Sequence, residues 1–88
     1  MNMMLVILND QDAESVLREL VEQEFRATRI ASTGAFLRKG NTTLLIGLEQ
    51  DKVDDVLEII RDQSAEPEVP GQRRATVFVL PVSRFEQL

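Results

Sequence analysis

Residues 5–17, LVILNDQDAESVL, return forty positions later as residues 45–57, LIGLEQDKVDDVL. Leu5, Val6, Leu8, Val16 and Leu17 fall on Leu45, Ile46, Leu48, Val56 and Leu57. In each copy a short apolar run of strand length gives way to apolar residues at helical spacing. A shift of forty-eight then sets Arg26-Ala27-Thr28 on Arg74-Ala75-Thr76, so each strand–helix pair is followed by an equivalent third element. Two such halves predict the order β-α-β-β-α-β. That is an α+β, ferredoxin-like arrangement, with one antiparallel sheet and two helices on one face.

The remaining segments fit this order. Met3 to Leu8 is continuously apolar and suits a buried central strand. Ala13, Val16, Leu17, Leu20 and Val21 form one helix face, and Asp10 or Asp12 is placed to cap its start. RATRIAS (26–32) and TTLLIGL (42–48) read as strands, and Val53, Val56, Leu57 and Ile60 mark the second helix. SAEPEVPGQ (64–72) is a loop punctuated by Pro67, Pro70 and Gly71, and RRATVFVLPV (73–82) is the last strand.

With 88 residues the chain is expected to be a single domain, 1–88. Cysteine and histidine are both absent, which removes disulfides, thiolate or imidazole metal sites, and Ser-His or Cys-His nucleophile pairs. No cofactor is expected. The first apolar run is too short for a secretion signal, so a cytoplasmic protein without membrane insertion is expected. A net charge of -5 disfavours general binding of nucleic acid or anionic lipid. Any anion must be caught locally.

The strands are apolar on both faces. Leu44, Ile46 and Leu48 alternate with Leu45, and Val77 and Val79 alternate with Phe78 and Leu80. Helices on one face leave the other uncovered, and burying each such side chain contributes about 1.5–3 kcal/mol. A homo-oligomer that covers this face is therefore expected.

One stretch holds the means to catch an anion. FRATRIASTGAFLRKGNTT, residues 25–43, has no acidic residue and carries Arg26, Arg29, Arg38 and Lys39. Gly34 and Gly40 allow the backbone to approach a ligand and turn its N–H groups inward. Arginine grips phosphate with paired hydrogen bonds. Thr28, Ser32, Thr33 and Asn41 offer donors and acceptors for a base edge, Phe36 a stacking surface and Leu37 an apolar wall. Each part also has a plain structural use: glycines shape hairpins, edge arginines deter strand pairing, Phe36 could pack on a neighbouring subunit, and Asn41 could hold the turn. Their clustering favours a phosphate joined to an aromatic base. Neither common phosphate-loop fingerprint is present.

FRAT, TG-FLR-GNTT and ATVFV-PV, with the rest of the chain, resemble the PII-like cyclic-di-AMP receptors of bacteria. The resemblance implies a homotrimer with ligand clefts between subunits, and a signalling role without catalysis in which an unknown downstream protein reads the bound state. Carried over by position, Arg26, Ala27, Thr28, Ala35, Phe36, Leu37, Asn41, Gly47 and Gln87 are the implied contacts to cyclic-di-AMP. Phe36 and Leu37 match the apolar contacts to adenine, and Gln87 closes the site from the C-terminal end. This chain departs from the family pattern in two ways. Ala35 stands where the pattern has glycine, and the segment at 63–74, QSAEPEVPGQRR, is short where relatives carry a long insertion.

Three other readings compete. One is a PII-like interaction module that regulates its target without any nucleotide; another is a binder of a different adenine nucleotide. A third is single-strand nucleic-acid binding on the sheet, which the aliphatic strands and negative charge oppose. Glu49, Asp51, Asp54 and Asp55 suit the solvated start of a helix better than acid–base catalysis, so no enzymatic activity is expected.

Overall fold

A computed structural model describes residues 1–33, 40–65 and 73–88 of the chain. Its elements are β1 (Asn2–Asn9), α1 (Asp10–Glu22), β2 (Arg26–Thr33), β3 (Asn41–Leu48), a 3-10 turn (Gln50–Lys52), α2 (Val53–Gln63) and β4 (Ala75–Pro81). The four strands form one antiparallel sheet in the order β2-β3-β1-β4. This is the ferredoxin-like α+β arrangement expected from the repeat. The segment around Gly34, Ala35, Phe36 and Leu37, and Pro67, Pro70 and Gly71, lie outside the described residues.

The repeat is visible in the register. Leu5 pairs with Leu45 across β1 and β3, and these two residues are equivalents under the forty-residue shift. The pseudo-twofold axis of the fold therefore passes between them. A side-chain pair repeats about the same axis. Asn2 donates to Gln50, and Thr42 donates to Asp10; each links a strand near its start to the residue that opens a helical segment.

The core lies between the sheet and the helices. Met4, Val6 and Leu8 of β1 and Leu44, Ile46 and Leu48 of β3 meet Val16 and Leu20 of α1 and Val53, Val56, Ile59 and Ile60 of α2. Alternation along a strand puts every second residue on this face. The helix faces differ slightly from expectation. Val21 is 59% exposed, because one step past buried Leu20 turns the side chain about 100° around the axis. Ile59 is buried instead, while Leu17 and Leu57 pack at the margin.

Asp10 and Asp12 do not cap α1. The helix begins at Asp10, and Asn9 occupies the cap position without a side-chain hydrogen bond. Both carboxylates lie in the first turn, at the favourable end of the dipole, and both reach away from the helix. Asp10 accepts from Thr42, and buried Asp12 accepts from the Ala65 N–H at 3.3 Å.

The far end of α1 closes on Glu24 at φ 66°, with Phe25 N–H bonded to Leu20 O at 2.9 Å and Glu24 N–H to Val21 O at 3.0 Å. This pair of bonds is a Schellman stop, usually built on glycine. Phe25 packs against the core and holds it shut.

β2 carries an irregularity between Arg29 and Ala31 that takes Ile30 out of the ladder. β4 spans Ala75–Pro81, shorter than the expected 73–82. Arg74 lies outside it and donates to the Arg61 carbonyl at 2.7 Å.

Among the described residues no helix lies over the second face of the sheet. Met3, Leu5 and Ile7 of β1 line up there with Leu45 and Gly47 of β3, Phe78 and Leu80 of β4, and Arg26 and Thr28 of β2. Phe78 is 51% and Leu80 41% exposed.

Candidate functional site

At one end of this open face the chain forms a groove of about 620 Å³, within the range of small-molecule sites. Arg26 and Thr28 enter from β2, and Leu45 and Gly47 from β3. Met1, Asn2 and Met3 supply the central wall, and the tail from Pro81 to Phe85, with Gln87, supplies the other side. The Val82 N–H donates to the Met1 carbonyl at 3.0 Å and extends the β1–β4 pairing to the start of the tail.

Among the described residues none that lines the groove is acidic, although the whole chain carries -5. Among the described residues two arginines, Arg26 and Arg84, line the groove. Arg84 is paired with Glu86 at 2.8 Å. Among the described residues the Arg26 side chain has no ion pair or hydrogen bond, so its guanidinium is available to an anion. Arg29 differs. It lies on the helix side and holds Glu14 at 3.0 Å, so the expected cation cluster contributes Arg26 alone at this point. Arg38 and Lys39 lie outside the described residues.

A second groove of about 450 Å³ adjoins the first and shares Arg26 and Gly47 with it. It is lined by Glu24, Glu49 and Asp55, with Lys52 as a further cation. An anion held by Arg26 is repelled on that side, so the acid-free groove is the electrostatically favoured one.

Gly47 is open to explanation by its surroundings. A Cβ added there would meet the Met1 Cε at 3.6 Å, an ordinary contact. Neither backbone conformation nor crowding demands glycine, so its consequence is a lower groove floor opposite Arg26.

The structure brings together Arg26, Thr28, Gly47 and Gln87 of the residues singled out from sequence. Ala27 lies between Arg26 and Thr28 but packs its methyl against the core, so it is not a wall of the groove. Asn41 shares the open-face parity of Gly47 yet stands at the other end of β3, opposite Asn9 and Thr33. Six residues at ~3.3 Å each separate the two by about 20 Å. Ala35, Phe36 and Leu37 lie outside the described residues.

Sequence reasoning missed Leu45, Met3 and Phe85 as groove residues. The first two were legible from alternation about Gly47. Phe85, 54% exposed, offers the flat apolar surface that was sought in Phe36.

Comparison with known proteins adds to this geometry. A solved structure described as a functionally unknown protein from Pediococcus pentosaceus ATCC 25745 is 39% identical, with a TM-score of 0.77. The likeness covers 99% of this chain and 96% of that one. The family model for the cyclic-di-AMP receptor matches residues 1–69. It takes in β1 to α2 with Arg26, Thr28, Asn41 and Gly47, while β4 and Gln87 stand on the structural likeness. The chain belongs to the cyclic-di-AMP receptor family.

Proposed function

We propose that residues 1–88 act as a single-domain cytoplasmic signalling protein that binds cyclic-di-AMP in clefts between subunits of a homotrimer and relays its level to a partner protein. The observation that carries this reading is a groove at the end of an apolar sheet face in which, among the described residues, no acid lines the wall and Arg26 has no partner. Arg26 supplies a charge-assisted grip on phosphate. Thr28 and Gln87 address a base edge, Leu45 and Phe85 enclose the purine, and Gly47 admits it. Asn41 stands at the far end of β3. A neighbouring subunit that packs on the open face brings that end to the groove.

The family is one of receptors rather than enzymes, and the proposed cycle is binding and release without a chemical step. Isothermal titration against cyclic-di-AMP, ATP and cyclic-di-GMP tests the reading. Preference for cyclic-di-AMP supports it. Preference for ATP transfers the site to another adenine nucleotide, and no response to any of the three defeats nucleotide sensing.

A further inference from the structure

Resting on the reading of Asn41 as a ligand contact, we propose that Asp10 is a positioning residue that holds Asn41 in place from both sides. The Asp10 N–H donates to the Gly40 carbonyl at 3.0 Å, and its carboxylate accepts from the Thr42 hydroxyl. Gly40 and Thr42 are the two neighbours of Asn41. One residue at the start of α1 thus pins the entry of β3, while Asn41 itself points to the opposite, open face.

The strand pattern makes the arrangement specific. Thr42 is 2% exposed and occupies a core-facing position in line with Leu44 and Ile46. An apolar residue would suit that position, so a hydroxyl there needs a partner. The pseudo-symmetric pair, Asn2 with Gln50, joins two neutral side chains at an exposed location. The pair beside Asn41 instead joins a carboxylate to a buried hydroxyl, and a charged acceptor strengthens and orients the bond. Each half carries a strand-to-helix tie, and the half carrying Asn41 spends a buried polar group on it.

Thr42→Val separates positioning from mere hydroxyl satisfaction. It keeps side-chain volume and removes the donor, while Asp10 stays at an exposed position. The proposal is tested by amide exchange of the ligand-free protein together with titration of cyclic-di-AMP, on Thr42→Val, Asp10→Ala and Thr42→Ser. Glu14→Gln, which breaks another tie of α1 to the sheet, serves as the control. Thr42→Val and Asp10→Ala are expected to speed exchange at residues 40–43 and weaken binding about tenfold. Thr42→Ser is expected to retain both properties, and Glu14→Gln to change neither. Unchanged exchange in Thr42→Val, faster exchange with unchanged affinity, or an equal effect from Glu14→Gln overturns the positioning role. If the unaltered protein binds no cyclic-di-AMP while Thr42→Val still speeds exchange, the binding reading fails and the clamp on β3 is upheld.

Discussion

Arg26 and Gly47 stand directly opposite each other across the β2–β3 ladder, both on the face of the sheet that no helix covers. A cation with no partner among the described residues thus faces the one position on β3 that lacks a side chain. The pairing gives an anion both an attraction and a space to enter. It also separates two variants that act on binding in different ways.

Arg26→Ala removes attraction. Arg26 is exposed and makes no side-chain bond among the described residues, so stability should stay within about 0.5 kcal/mol. Affinity for cyclic-di-AMP is expected to fall by tenfold or more, since a hydrogen-bonded ion pair contributes about 1.5–3 kcal/mol. Arg26→Lys should recover only part of the loss, because a single ammonium lacks the paired donors of guanidinium. Calorimetry and thermal unfolding on the same samples check both halves.

Gly47→Val fills space. The strand gains a β-branched residue, and the added Cβ meets Met1 at an ordinary 3.6 Å. Thermal stability should hold or rise while nucleotide binding is lost. A Gly47→Val protein that binds as well as the unaltered chain would remove Gly47 from the site.

The open sheet face gives a prediction about assembly. Phe78 is half-exposed in the single chain, so Phe78→Glu should cost the isolated subunit little. If copies pack through this face, the glutamate must be buried uncompensated, and that is strongly unfavourable. Sedimentation should show trimers for the unaltered chain and smaller species for Phe78→Glu. Identical sedimentation of the two would place the interface elsewhere.

Glu24 offers a test of the fold alone. A side chain at φ 66° is strained by about 1 kcal/mol relative to glycine. Glu24→Gly should therefore raise the melting temperature, or at least not lower it, despite the entropy glycine adds to the unfolded chain. A clear loss of stability would mean that Glu24 contributes contacts beyond its backbone.

Much of the architecture could be read from the chain because the repeat and the alternation are both local in sequence. Leu5 and Leu45 declare equivalence by position, and their pairing follows once the halves face each other. The partners of the α1 carboxylates were not legible in this way. Capping patterns look a few residues ahead, whereas Asp10 and Asp12 find Thr42 and Ala65, 32 and 53 residues distant. Within the site, Arg26, Thr28 and Gly47 come together because pairing of neighbouring strands is part of the topology. The distance from Asn41 to Gly47 could have been counted along β3. Phe85 escaped notice because its place depends on the tail being tied back to Met1.

The most direct measurement is a crystal structure of the chain grown with cyclic-di-AMP. The account predicts the dinucleotide between neighbouring copies, a phosphate on the Arg26 guanidinium and a purine over Gly47, with Asn41 of the adjacent copy reaching the same ligand. Nucleotide bound away from this groove, or a groove closed by the neighbouring copy with no ligand inside, would contradict it.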